Sequence, residues 1–268
     1  MDRNKVCELL DKISEKNPLV HNITNIVVAN FSANGLLAIG ASPVMAHVPE
    51  EAADMAKLAD AVVLNLGNLV RADLEAMILA GKTANEQGKP VVLDPVGVGS
   101  TPFRLVTAEK LLGEFKADII RGNAAEIANL IGERWEVKGV DAGSGGGNAV
   151  EVTKKAAQKL DCIVISTGET DVISDGATTY LVRNGDPLLA KVTGTGCLLS
   201  AVVGAFAAVG DERLEASVSA LVFYGVAAER AAEKTRALGT GSFQIEFLNQ
   251  LSLLRGEEIM KYCAFEKL

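Results

Sequence analysis

Aromatic side chains are scarce, at 4% of 268 residues, while apolar residues reach 49%. A core of that kind is built from Ala, Val, Leu and Ile, which suits helices packed on a parallel sheet. Cysteine and histidine are sparse as well. Cys7, Cys162, Cys197 and Cys263 lie far apart with no C-x-x-C pair, and His21 and His47 are the only histidines. That spacing indicates neither a zinc site nor a disulfide framework, and it fits a reducing cytoplasm; both histidines read as structural rather than metal-binding. Runs of Lys or Arg are missing, and the net charge is −8. The chain therefore lacks the basic footprint that binding to nucleic acid or an anionic membrane requires. The opening MDRNKVCELLDKISEK is charged and helical in pattern, unlike an export signal. Charge of either sign is absent from residues 20 to 48 and 192 to 210. Length alone makes both stretches membrane-helix candidates. Asn22, Asn25, Asn30 and Asn34 in the first, and T-G-T-G in the second, favour buried segments that line a site or a subunit interface.

Two nucleotide fingerprints are also missing. G-x-G-x-x-G never occurs in full, and AGKT at 80 to 83 has Ala76 where a P-loop needs glycine. What the sequence does contain is alternation. AVVLNLG (61–67), PVVLDPVG (90–97), ADIIRGN (117–123) and DCIVISTG (161–168) are β-branched runs, each followed by Gly or Pro and then a helical pattern. This predicts βαβ units in one domain over 1–268, with polar loops gathered at the carboxyl edge of a parallel sheet, where such sheets bind ligands. DVISDGATTYLV reads as a hairpin around Asp175-Gly176, and residues 197 to 264 as nearly all helix. SGGGNAV at 144 to 150 reads as a loop leading into a helix over about 148 to 160.

The strongest local feature is KVTGTGCLLSAVVGAF. Gly194 and Gly196 allow a tight turn and close backbone approach, and Thr195 with the first N–H groups of the next helix would face an anion. A plain Gly-rich β-to-α turn fits equally well. Asp94 closes the strand VVLD; Glu126 follows the N-cap candidate Asn123 by three residues. Either these carboxylates hold Mg²⁺ through waters beside phosphates, or Glu126 is an ordinary capping box. Arg121 offers a cation to phosphates, or is a surface residue at a strand end. Thr167 and Gly168 offer a hydroxyl and a backbone donor, or form a simple turn. The four asparagines of the N-terminal segment suit a small heteroaromatic ligand, with Met45 as an adaptable wall, or serve as caps and core.

Taken together, PLVHNITNIVVANFSANGLLAIGASPVMAHVPEE, VVLDPVGVGSTPFR, IIRGNAAEIANL and VTGTGCLLSAVVGAF closely resemble the hydroxyethylthiazole kinases of the ribokinase-like group, over nearly the whole chain. The resemblance implies a three-layer αβα ribokinase-like fold with a central, mostly parallel sheet and no β lid. It implies transfer of the γ-phosphoryl of ATP, with Mg²⁺, to the primary alcohol of 5-(2-hydroxyethyl)-4-methylthiazole in thiamine salvage. It also implies a homotrimer with sites at subunit interfaces. Asn25, Met45 and Gly194 match the acceptor pocket; Arg121 and Thr167 match ATP-contacting positions, with Asn123 and Gly168 beside them. Asp94 and Glu126 match acidic positions near metal and phosphates, and Gly194, Thr195, Gly196 and Cys197 match the anion-hole turn. Related sugar kinases carry Asp at the position of Cys197. Its thiol is expected to orient the alcohol and act as a sluggish base, its pKa lowered by the helix N-terminus while bound nucleotide opposes the lowering, or else to be a small packing residue. A kinase for another vitamin alcohol, a dehydratase of the same fold and a nucleotide-binding protein without turnover are the competing readings, separated by which alcohol drives ADP release.

Overall fold

The computed structural model describes residues 1–133, 135 and 146–268. Nine strands form one sheet: β1 (Leu19–Ile23), β2 (Ser42–Val44), β3 (Ala61–Asn65), β4 (Val91–Asp94), β5 (Ile119–Asn123), β6 (Ile163–Thr167), β7 (Asp171–Ser174), β8 (Thr179–Val182) and β9 (Phe265–Lys267). Their spatial order is β2-β1-β3-β4-β5-β6-β7-β8-β9. The first six in that order run parallel, and the remaining three add on antiparallel. The sheet is thus mostly parallel, and all the strands described belong to it.

Successive residues of a strand point to opposite faces, and the core divides accordingly. Val20, Val63, Val92 and Ile119 pack on one side with α1 (Asn4–Lys16), α2 (Ala29–Ala38), α8 (Thr195–Val209), α9 (Arg213–Thr235), α10 (Thr240–Leu253) and α11 (Gly256–Tyr262). Val62, Leu64, Leu93 and Ile120 pack on the other with α3 (Pro49–Leu58), α4 (Arg71–Glu86), α5 (Pro102–Glu114), α6 (Ala124–Leu130) and α7 (Gly146–Leu160). Both strand faces are apolar because both are covered. The uncharged α8 is buried nearly throughout. None of the described helices is long and apolar enough to cross a membrane.

The four strands expected from β-branched runs are β3 to β6, and the hairpin around Asp175-Gly176 joins β7 to β8. β1 and β2 were not expected as strands: His21 and Asn22 interrupt the apolar run of the first, and the second is three residues long with a central proline. His21 is buried and bonds Ala46 O through Nε2 at 2.7 Å, a structural role as expected, whereas His47 is exposed. In the Gly-rich patch, residues 144 and 145 lie outside the described residues, and α7 begins at Gly146.

Candidate active site

Because β1 to β6 are parallel, their last residues share one edge. Asn65 ends β3 directly opposite Asp94, which ends β4; Asn123 ends β5 opposite Thr167, which ends β6. Asn25 lies two residues past β1. A polar row thus runs Asn25, Asn65, Asp94, Asn123, Thr167 across the carboxyl edge. The start of α8 lies over its centre, with Cys197 and Ser200 one turn apart.

Hydrogen bonds connect the first three members of the row. Asn25 Nδ2 donates to Asn65 Oδ1 at 2.9 Å and approaches Cys197 Sγ at 3.6 Å. Asn65 Nδ2 donates to Asp94 Oδ2 at 2.8 Å, and Ser200 Oγ–H donates to the same oxygen at 2.7 Å. Asp94 is 1% exposed, and its Oδ1 is buried without a partner. Burial pushes its pKa up to about 6; the charge of Glu126 adds to the rise, and Arg121, Ser200 and Asn65 oppose it. An ionised carboxylate is retained at neutral pH while one oxygen stays open to a further donor or a cation's water.

The turn before α8 has the geometry its glycines suggest. Gly194 sits at φ 89°, and a Cβ there would lie 2.6 Å from Val28 Cγ1. The first bond within the helix runs from Leu198 N–H to Gly194 O, so the N–H groups of Thr195, Gly196 and Cys197 have no acceptor in their own helix. A Cβ on Gly196 would lie 2.8 Å from Arg121 Nη1, so that guanidinium sits directly at the turn. Two expectations need correction. The Thr195 hydroxyl does not face a ligand: it donates to Leu189 O at 2.8 Å and Val192 O at 3.2 Å, and Tyr224 O–H donates to the Thr195 carbonyl at 2.5 Å. Thr195 therefore holds the turn by its side chain and offers only its N–H. The pKa of the Cys197 thiol is raised, not lowered, because burial and then the charge of Asp94 outweigh the Asn65 and Asn25 donors and Arg121.

On the other side of the row, Arg121 Nη2 donates to Thr167 Oγ1 at 2.7 Å, and its Nη1 stands 3.9 Å from Asp94 Oδ2. Its Nε is buried and unpartnered. A cavity of about 870 Å³ opens here, lined by Arg121, Thr167, Gly168, Asp171, Thr195 and Gly196 among others. Gly168 lines it, but its N–H is taken by Asp171 Oδ1 at 3.0 Å. Asn123 is occupied too: its Oδ1 accepts from Glu126 N while Glu126 Oε2 accepts from Asn123 N, a complete capping box. Glu126 does more than cap, since Oε1 accepts from Gly97 N at 2.7 Å and ties the β4 loop to α6. Met45 follows β2 directly and is half-exposed at the opposite end of the row.

Asn65 and Ser200 were missed by the sequence reading. Both were open to it: Asn65 ends AVVLN as Asp94 ends VVLD, and Ser200 falls one helical turn after Cys197. Among the described residues, no group of three or more His, Cys, Asp or Glu side chains is placed to hold a metal ion. A cation here would rest on Asp94, Glu126 and the ligand's own oxygens, which suits Mg²⁺, an ion that keeps most of its waters.

Residues 10–257 match the model of the hydroxyethylthiazole kinase family. Among solved structures, a hydroxyethylthiazole kinase protein from Pyrococcus horikoshii OT3 shares 43% identity, covering 98% of each chain with a TM-score of 0.91. A ribokinase-like superfamily protein from Enterococcus faecalis V583 shares 12% identity over 94% of both chains, with a TM-score of 0.65. The ADP complex of Bacillus subtilis pyridoxal kinase shares 22% identity over 79% of this chain and 91% of that one, with a TM-score of 0.55. The last two show likeness of fold.

Proposed function

The chain belongs to the hydroxyethylthiazole kinase family, and we propose that it transfers the γ-phosphoryl of ATP to the primary alcohol of 5-(2-hydroxyethyl)-4-methylthiazole, a step of thiamine salvage. The observation that carries this reading is the pair of hydrogen-bonded groups Asn25–Asn65–Asp94 and Arg121–Thr167, joined by the Arg121–Asp94 ion pair at 3.9 Å, beneath the N–H groups that open α8. An alcohol held at the Asn25 end and phosphates held at the Arg121–Thr167 end would meet at the Gly194–Cys197 turn. Alignment and electrostatics supply most of the acceleration in phosphoryl transfer, and deprotonation of the alcohol comes late.

In this reading Arg121 leaves Thr167 and Asp94 to pair with phosphate oxygens, a stronger, charge-assisted contact. The N–H groups of Gly196 and Cys197 take the negative charge that develops on the transferring group, each well-placed donor being worth about 2.7–4 kcal/mol. Asn25 and Met45 bound the acceptor, and Cys197 orients its hydroxyl. With its raised pKa the thiol is a weak base at neutral pH, and a loose transition state tolerates one. Bound Mg²⁺ would neutralise phosphate charge. Asp94 Oδ1 has lone pairs that no donor uses, and Glu126 keeps lone pairs beyond those its two backbone donors use.

Ile26 and Val27, next to Asn25, are 79% and 64% exposed. Large apolar side chains exposed beside an acceptor pocket support closure by another copy, hence the homotrimer with interfacial sites. One sheet with strands drawn from Leu19 through Lys267 supports a single domain over 1–268, and four free cysteines fit a reducing cytoplasm. The direct test is ADP release with ATP, Mg²⁺ and the thiazole alcohol, with the thiamine pyrimidine alcohol and pyridoxal alongside. Turnover confined to the thiazole, with a product heavier by one phosphoryl group, is expected. Turnover with another alcohol alone would reassign the acceptor.

A further inference from the structure

Asn65 is 2% exposed between Asn25 and Asp94 in the row, and its carboxamide makes three hydrogen bonds. Oδ1 accepts from Gly67 N–H and from Asn25 Nδ2, both at 2.9 Å, while Nδ2 donates to Asp94 Oδ2 at 2.8 Å. The orientation follows from chemistry alone. A backbone N–H can only donate, so the amide oxygen must face Gly67 and the NH₂ must face Asp94, where only an acceptor fits. Asn25 is then forced to present its own NH₂ to Asn65, which directs its second proton toward Cys197 Sγ at 3.6 Å. One main-chain donor thereby sets the direction of the Asn65 and Asn25 amides and the amide protons that Cys197 and Asp94 meet.

We propose that Asn65 is a positioning residue for phosphoryl transfer: its carboxamide locks the acceptor-side amide of Asn25 and the phosphate-side carboxylate of Asp94 into one rigid unit. The inference rests on the kinase reading above and deepens it. Asn65 touches neither substrate. It works by keeping two groups that face the reacting groups, one just past β1 and one at the end of β4, on either side of the β3 end, at a fixed distance and polarity. Misplacement by about 1 Å costs on the order of a hundredfold in rate, so its effect belongs in kcat.

The test compares wild type, Asn65→Asp, Asn65→Ser, Asn25→Ser and the double variant Asn25→Ser/Asn65→Ser, by steady-state kinetics and thermal unfolding. Asn65→Asp sets an oxygen against Asp94 Oδ2. It is expected to lower kcat by about a hundredfold while KM for ATP stays within about twofold. Asn65→Ser adds no charge and serves if the aspartate variant does not fold; it should lower kcat and raise KM for the thiazole alcohol. The double variant should lose little beyond the worse single variant, since residues acting as one unit are not additive. Folded variants with kcat near wild type, a defect confined to KM for ATP, or a double-variant loss equal to the product of the single losses would each overturn the role. A wild-type protein without acceptor-dependent ADP release would sink the kinase reading and this inference with it. An active wild type with unmoved variants removes this inference alone.

Discussion

Ser200 Oγ–H donates to Asp94 Oδ2 at 2.7 Å, from one helical turn beyond Cys197. The helix whose first turn would receive the phosphoryl group therefore also holds the buried carboxylate beneath it. One hydrogen bond thus ties the start of α8 to the Asp94 carboxylate.

That carboxylate makes stability depend on pH. Its pKa rises from the ordinary carboxylate value of 3.8 to about 6 on folding. The folded chain thus binds more protons than the unfolded one between those values, and stability falls as pH rises through that window. Asp94→Asn removes the buried charge. It is expected to raise the unfolding midpoint of ligand-free protein at pH 7.5, by the equivalent of about 2–3 kcal/mol at most, with the gain shrinking below pH 5. Thermal melts at both pH values check this; an equal or larger gain at pH 5 would contradict it. Phosphoryl transfer by the variant should fall at least tenfold.

Cys197→Ser keeps a small donor and acceptor over Asn25, and turnover should stay within about tenfold of wild type, because positioning outweighs base strength in a loose transition state. Complete loss of ADP release with thiazole binding intact, measured by calorimetry, would make the thiol an indispensable base.

Arg121→Gln removes the guanidinium that spans Thr167 and Asp94. A charged hydrogen bond is worth about 1.5–3 kcal/mol, so KM for ATP should rise by at least tenfold while KM for the alcohol changes little. An unchanged KM for ATP would place the phosphates elsewhere.

Glu126→Gln turns an NH₂ toward either Gly97 N–H or Asn123 N–H, both of which now donate to carboxylate oxygens. The unfolding midpoint should drop, by the equivalent of about 1–2 kcal/mol, and the Mg²⁺ needed for half-maximal rate should rise several-fold. A lower midpoint with the Mg²⁺ titration unmoved would leave Glu126 as a cap and loop tie only.

The residues differ in how plainly they announced themselves. Local signals exposed the β3 to β6 strands, the Gly194 turn and the Asn123–Glu126 capping box, because alternation, turn chemistry and capping act over a few neighbours. Thr195 is expected to face a ligand because it stands between the two glycines of the turn; the Leu189 and Val192 carbonyls that take its hydroxyl lie only six and three residues back, but the 3₁₀ turn that presents them is not signalled by a residue pattern. For Gly168 the sequence leaves a backbone donor and a simple turn both open; Asp171, three residues on, has the spacing to take its N–H, and the simple turn is what forms.

The sequence by itself determined the layered α/β class and the placement of polar residues at strand ends, since periodicity and the right-handed βαβ crossover leave little choice. It also determined that a Gly-Thr-Gly-Cys turn would open an apolar helix. Tertiary structure alone decided partnership: that Asn65 stands between Asn25 and Asp94, that Ser200 reaches the same carboxylate, and that burial and the charge of Asp94 raise the pKa of Cys197. Strand order and desolvation are properties of the assembled sheet. No local stretch of chain encodes which strand becomes its neighbour or how much water is excluded between them.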